Sequence, residues 1–381
     1  MIYLKILFVL VALELIYSLV VYRRISKYSF YTNPRKRLWI FDKERGYKLA
    51  PNLDFSSPTE PLENAPRRIM LKGVQTDKFG FRFSGDVETI QDEAKLVFCV
   101  GDSTTIGLES TNSKTWPAML DKHLSPTYRV VNAGVGGYRS IHLLRTVEHL
   151  LRNFQPTDII LHTGINDFQY RALPGYREDD VNFHLFRSTI SPHPIHNQLI
   201  RSFGLYHGLV SLVRWVIRHT GKPPDGRGEK RDPNKLGELN TDPSVWTDEL
   251  ERNVRQICEI CSTAGVKLWI LLFMTPYYPT EEEQAIAFAD VDLNVKGRWG
   301  PLTDMKGILF AKLEDIAQDF ENVQTVDVSS AFEAKGLHYK ERYNYFVDRF
   351  HTSEMGNEFM AKTIAAELKN HQTDGPHLAN G

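Results

Sequence analysis

Four groups of residues carry side chains that could do chemistry together. A Gly101-Asp102-Ser103 triplet closes the apolar run KLVFCV at 95–100. A serine there stands at the carboxyl end of a strand, where parallel α/β sheets place reactive groups. A helix starting just after it would aim backbone N–H groups at whatever the serine attacks. Taken alone, the triplet reads more simply as a turn. Gly134, Gly136 and Gly137 follow in VVNAGVGGYRS at 130–140. They let the backbone approach a ligand with its N–H groups exposed, or they make a flexible strand-to-helix turn. A dinucleotide fingerprint is the poorer fit, because G-V-G-G-Y-R lacks its final glycine. Asn166, in HTGINDF at 162–168, can donate an amide N–H into the same space or close an Asx turn. Asp348 and His351, in FVDRFHTSEMGN at 346–357, are three apart, so one turn places both on one side. A histidine held by a carboxylate is the general base a serine needs. The plainer alternative is a surface pair, with Thr352 or Ser353 capping the next helix.

The elements that would position these groups can be read around them. From Lys95 onward strands and helices alternate. KLVFCV, YRVVNAG, TDIILHTG, VKLWILLFM and VQTVDV read as five strands. SIHLLRTVEHLLRNF, the stretch from about Val245 to Ala264, and SEMGNEFMAKTIAAELK read as helices. This alternation predicts a parallel sheet with helices on both faces. Residues 170–244 interrupt it as a long insertion, helical in its middle (LYHGLVSLVRWVIRH) and then loop-like (KPPDGRGEKRDPNK). Residues 23–94 form a basic juxtamembrane linker and a small β-rich preface, with RGYKLAPNLDF and TDKFGFRFS as short strands broken by turns. Residues 371–381 read as a disordered tail, and the main domain as 95–370.

Residues 6–22, ILFVLVALELIYSLVVY, are seventeen residues with the single charge Glu14. That is near the lower limit for a helix crossing about 30 Å of hydrocarbon. No small-residue cleavage site follows; Arg23, Arg24 and Lys27 do. The segment is therefore expected to be an uncleaved single-pass anchor rather than a signal peptide. The basic run 23–37 places the main domain on the cytoplasmic side by the positive-inside rule. A net charge of −1 and the absence of a basic stripe with interleaved aromatics argue against a nucleic-acid partner. Three cysteines, Cys99, Cys258 and Cys261, make no disulfide framework. Cys258 and Cys261 read as small apolar residues on one helical face. His184, His193 and His196 match no metal-site spacing.

Gly-Asp-Ser, then glycine, then asparagine, then Asp-x-x-His, at successive strand ends and in that order, resembles the SGNH, or GDSL, hydrolase superfamily. The resemblance covers about Lys95 to Leu368 and includes Gly107 and the downstream WPAML. It implies a three-layer α/β/α domain with a central parallel sheet, SGNH-hydrolase or flavodoxin-like, here preceded by the transmembrane helix and the β-rich preface. It implies Ser103 as nucleophile, His351 as base and Asp348 as the carboxylate that orients it. The implied oxyanion donors are the Ser103 and Gly137 N–H groups and the Asn166 side chain. Gly137 is chosen because it lies five residues after Asn132, matching the family's N-x-x-x-x-G pattern. Asp102 and Asp167 would hold loops. The family's DGxHP block is altered here to Asp348-Arg-Phe-His351-Thr. The implied activity is serine ester hydrolysis through an acyl-enzyme, on a lipid or an acylated glycan, without metal or organic cofactor. O-acyl transfer to a glycan through the same intermediate, and a non-catalytic carbohydrate- or lipid-binding module, are the alternatives. The specific ester and the oligomeric state cannot be read from these residues.

Overall fold

A computed structural model of the chain describes residues 38–55, 73–83, 94–171, 244–275, 302–347 and 351–373, with scattered residues of 8–19 and 178–212. Chain order begins with short strands: β1 (Trp39–Asp42), β2 (Gly46–Leu49), β3 (Asp54–Phe55) and β4 (Val74–Gln75). The main unit follows as β5 (Lys95–Val100), α1 (Ser103–Ile106), α2 (Trp116–Leu124), β6 (Tyr128–Asn132), α3 (Ser140–Asn153), β7 (Asp158–Leu161) and α4 (Ile165–Arg171). After the insertion come α5 (Ser244–Thr263), β8 (Lys267–Leu272), α6 (Leu302–Gln318), β9 (Val323–Asp327), α7 (Val328–Glu333), α8 (Tyr339–Arg342) and α9 (Glu354–Thr373).

Five strands pair in parallel in the order β6-β5-β7-β8-β9. The three inner strands β5, β7 and β8 are apolar on both faces, and alternate residues go to opposite layers, as the two-residue period requires. Phe98 and Val100 of β5 join the same core cluster as Ile159 and Leu161 of β7 and Leu268 and Ile270 of β8, packed with α3, α5 and α6. Val97 and Cys99, with Ile160, Trp269 and Leu271, join the other cluster, packed with α2, α7 and α9. The expected parallel sheet of five strands, covered on both faces, is thus present. Its direction of winding reverses between β5 and β7, and in such sheets ligands bind at that crevice, beyond the carboxyl ends of the strands.

The preface is β-rich but is built as two antiparallel ribbons, β1–β2 and β3–β4. TDKFGFRFS is mostly a turn: Asp77 accepts the Phe79 and Phe81 N–H groups, and only isolated bridges flank it. Leu38, Trp39, Tyr47, Leu49, Val74 and Phe81 are all buried in the first core cluster. Cys258 and Cys261 are buried with free thiols, and burial pushes both thiols up to about 12.

One expectation is corrected. The tail does not begin at 371: α9 runs on to Thr373 because the His371 ring packs edge-on against Trp269, with centroids 5.4 Å apart. Residues 8, 9, 11–17 and 19 are helical, and among the described residues no helix is long and apolar enough to cross a membrane. Described residues of this segment meet the insertion. Glu14 accepts the Leu205 N–H at 2.9 Å, and Gly208 lets the Tyr17 hydroxyl approach to where a Cβ would clash. The loop expected at 222–235, together with His184, His193 and His196, lies outside the described residues.

Candidate active site

Ser103 is the first residue of α1, directly beyond β5. Asp102 caps the helix by accepting the Thr104 N–H at 2.9 Å. This cap fixes the turn that lifts the serine above the sheet edge. The glycine-rich loop after β6 runs alongside. At Gly134 a Cβ would come within 2.4 Å of the Ile106 nitrogen, so only glycine allows the loop to cross α1 so closely. The Cβ position at Gly136 is 3.9 Å from Ser103 Cβ. Gly137 follows with φ +83°, a left-handed conformation that favours glycine.

Asn166 opens α4 beyond β7 and is buried. Its amide donates to Asp102 Oδ2 at 3.0 Å and to the Tyr138 carbonyl at 2.9 Å. One side chain therefore ties together the loops after β5, β6 and β7. Burial by itself would raise the Asp102 carboxyl. Hydrogen bonding and charge from His162, with the Thr104 N–H and hydroxyl, hold it below the usual carboxylate range instead. His162 lies under the site, 3.6 Å from Asp102 Oδ1, with its ring 4.5 Å from that of Phe273. Asp167 accepts both the N–H and the hydroxyl of Ser140, fixing the start of α3. Burial pushes Asp167 up to about 6, the Ser140 hydroxyl and the Arg139 charge working against it.

His351 reaches the serine from 248 residues away: its Nε2 is 2.9 Å from Ser103 Oγ. The loop that carries it closes on itself, with the Val347 N–H donating to the His351 carbonyl and Phe346 bridging Thr352. Ser353 takes the capping role for α9, its hydroxyl accepting the Gly356 N–H. Asn357, one turn further on, donates to Ser110 Oγ at 2.8 Å and to the Lys114 carbonyl at 2.9 Å. The histidine loop is therefore tied to the segment just after α1. Asp348 lies outside the described residues. On the other ring nitrogen, Nδ1, His351 faces Glu109 Oε1 at 3.9 Å.

Beneath this loop sits Arg82, which is buried. Its guanidinium donates to the carbonyls of Ile106, Gly107, Ser110 and Gly73 and to Asn112 Oδ1. All five of its N–H donors thereby find acceptors. Burial pulls its pKa down to about 9, partly opposed by the Glu109 charge. Among the described residues no group of three or more His, Cys, Asp or Glu side chains is arranged to hold a metal ion.

The sequence singled out Ser103, Gly137, Asn166 and His351. The structure brings Ser103 and His351 into contact, and Asn166 next to the residue that caps the serine's helix. It also adds Arg82, Glu109, His162 and Asn357. Arg82 was hidden because FGFRFS reads as an ordinary strand. His162 falls within a quoted motif, but its two-residue offset from Gly164 carries no signal of its own.

A family model for GDSL-like lipases and acylhydrolases matches residues 99–359, well over half of the chain. The chain belongs to the GDSL-like lipase/acylhydrolase family. Among curated members of known name, it is 35% identical over 82 residues to Esterase TesA of Pseudomonas aeruginosa, a stretch covering 21% of this chain and 41% of that protein. It is 32% identical over 74 residues to the thioesterase 1/protease 1/lysophospholipase L1 of Escherichia coli, covering 19% and 36%. The match thus spans about two fifths of these curated relatives. Solved structures that it resembles include TesA, with TM-score 0.39 and 16% identity over 72% of this chain and 99% of that one. Another is an acetyl-xylooligosaccharide esterase from Geobacillus, with TM-score 0.41 and 15% identity over 73% and 96%.

Proposed function

We propose that this GDSL-family chain is a serine ester hydrolase that works through an acyl-enzyme, on a lipid or acylated-glycan ester. The observation that carries the reading is the 2.9 Å contact between His351 Nε2 and Ser103 Oγ, on a serine raised at the sheet's crevice. As Ser103 Oγ bonds to the ester carbonyl carbon, its proton passes to Nε2 and the carbonyl electron pair moves onto oxygen. The Ser103 and Gly137 N–H groups and the Asn166 amide receive that oxyanion; such a donor is worth about 10²–10³ in rate. The intermediate expels the alcohol, which takes the proton from Nε2. Water, with His351 again as base, then releases the acid and restores the serine. Asp348 orients the imidazole. Asn166 has two N–H groups, both engaged at rest, so it serves the oxyanion by turning one from the neutral Tyr138 carbonyl and keeping the bond to charged Asp102.

Attachment to a membrane through residues 6–22 belongs to the same reading. It is supported by their apolar sequence, by the exposure of Phe8, Leu15 and Ile16 and by the basic run behind them. Carbonate extraction tests it, and the expected result is retention in the membrane fraction. Protease added to spheroplasts tests the cytoplasmic placement, which predicts protection until lysis.

The functional test is a panel of short- and long-chain acyl esters and acetylated sugars, each assayed with and without a sugar acceptor. Free acid released at the same rate in both cases is expected. Acyl transfer to the acceptor with little free acid would replace hydrolysis by the transferase reading. No turnover of any ester, alongside saturable sugar or lipid binding, would favour a non-catalytic module.

A further inference from the structure

We propose that Glu109 is a positioning residue for His351, a carboxylate from the nucleophile's own loop that faces Nδ1 and stabilises the imidazolium formed as Ser103 attacks. The proposal rests on reading Ser103 and His351 as nucleophile and base. If Nε2 accepts the Ser103 proton, the ring's other proton sits on Nδ1, pointing away from the serine. Glu109 Oε1 stands 3.9 Å from that nitrogen, beyond hydrogen-bond length but within strong charge contact. The two side chains are only 10% and 22% exposed, respectively, so water screens the pair less than it would a surface pair.

Both partners are held in place. Glu109 is two residues beyond Gly107, where α1 ends. The carbonyls on either side of it, at Gly107 and Ser110, are fixed by Arg82. Ser110 is in turn gripped by Asn357, from the helix that follows His351. The loop carrying the carboxylate and the loop carrying the imidazole are therefore tied one residue away from the contact itself. Ser103 faces His351 from α1, Glu109 faces it from the loop after α1, and Arg82 stands behind Glu109 on the preface. Asp348 stands three residues before the histidine in sequence. The competing role for Glu109 is to balance the buried Arg82 charge. A role confined to holding the loop in place would leave the titration of His351 where it is.

The test is Glu109→Gln, which keeps shape and removes charge, measured as full pH profiles of kcat and kcat/KM for a turned-over ester. A carboxylate raises the pKa of a neighbouring histidine, and the base must be neutral to act. Removing it should move the acid limb of kcat/KM to lower pH, by about one unit for a charge at this distance. kcat should fall about five- to thirty-fold, since imidazolium stabilisation is lost in the transition state, with KM nearly unchanged. An unmoved limb overturns the proposal even if kcat falls, because that pattern belongs to a role confined to holding the loop. If Glu109→Gln does not fold, Glu109→Asp draws the charge back by one methylene; a smaller downward shift supports the proposal and an unmoved limb overturns it. Ser103→Ala is assayed in parallel. If it remains active, the reading of the site fails and this proposal with it. If it is inactive while the Glu109→Gln limb stays put, only the role of Glu109 fails.

Discussion

Replacing Arg82 by methionine removes a guanidinium but keeps an unbranched chain of similar reach. The five acceptors it leaves behind are four backbone carbonyls and Asn112 Oδ1. Summing five charge-assisted hydrogen bonds would overstate the loss. Burial of the guanidinium is itself unfavourable, as its pKa of about 9 records, and that cost disappears with the side chain. What remains is the desolvation of carbonyls that water cannot reach, about 1–3 kcal/mol each. With two or three of them left unpaired, the variant should lose about 3–5 kcal/mol, the range found when a buried charged partner is removed. The orphaned carbonyls belong to the end of α1 and to the loop carrying Glu109. Activity in the still-folded protein should therefore fall by about 10–10²-fold, as sub-ångström displacement of catalytic groups implies. Urea unfolding followed by circular dichroism gives the first number, and ester turnover at low urea the second. A loss below about 1 kcal/mol, or wild-type turnover, would refute the view that the β-rich preface is a structural part of the active site.

Further outcomes follow from the same geometry. Asn166→Ala should lower kcat far more than it alters KM, because its oxyanion contact matters once charge develops; the two parameters changing together would contradict this. His351→Ala should be nearly as damaging as Ser103→Ala, and Asp348→Ala should retain more activity, which steady-state rates on one ester will rank. His142 is pushed down to about 3 by burial and by the Arg139 charge, opposed by the Val181 carbonyl. It stays neutral in the fold while the unfolded chain takes up a proton near pH 6.5. Its contribution is therefore complete above pH 6.5 and declines as pH falls toward 3. Comparing wild type with His142→Asn, the stability difference should shift by about 2–3 kcal/mol against wild type between pH 7 and pH 4.5. A pH-independent difference would contradict the assignment.

The sheet was legible because its inner strands are short apolar runs, buried on both faces and ended by glycine or polar turns. KLVFCV and KLWILL sit where the sequence places them. α6 was missed: it follows a polar stretch rich in Glu and Asp, with no cap signal to announce it. The preface was legible as β-rich, but its part in the site was not. Arg82 contacts residues 24 to 28 positions away, and also Gly73, through backbone carbonyls, which carry no sequence signature. Within the site, Ser103, Gly137, Asn166 and His351 were singled out from their motifs, and the structure brings Ser103 and His351 into contact. Glu109 was not singled out, because a glutamate six residues after a serine matches no pattern.

Reaction of the full-length protein with a fluorophosphonate probe tests the central claim most directly, because the probe bonds only to a serine oxygen that has been made nucleophilic. Peptide mass spectrometry should find stoichiometric adduct on Ser103, none in Ser103→Ala, and labelling slowed by orders of magnitude in His351→Ala. Adduct on another serine, or labelling of Ser103 at the wild-type rate in His351→Ala, would contradict the account.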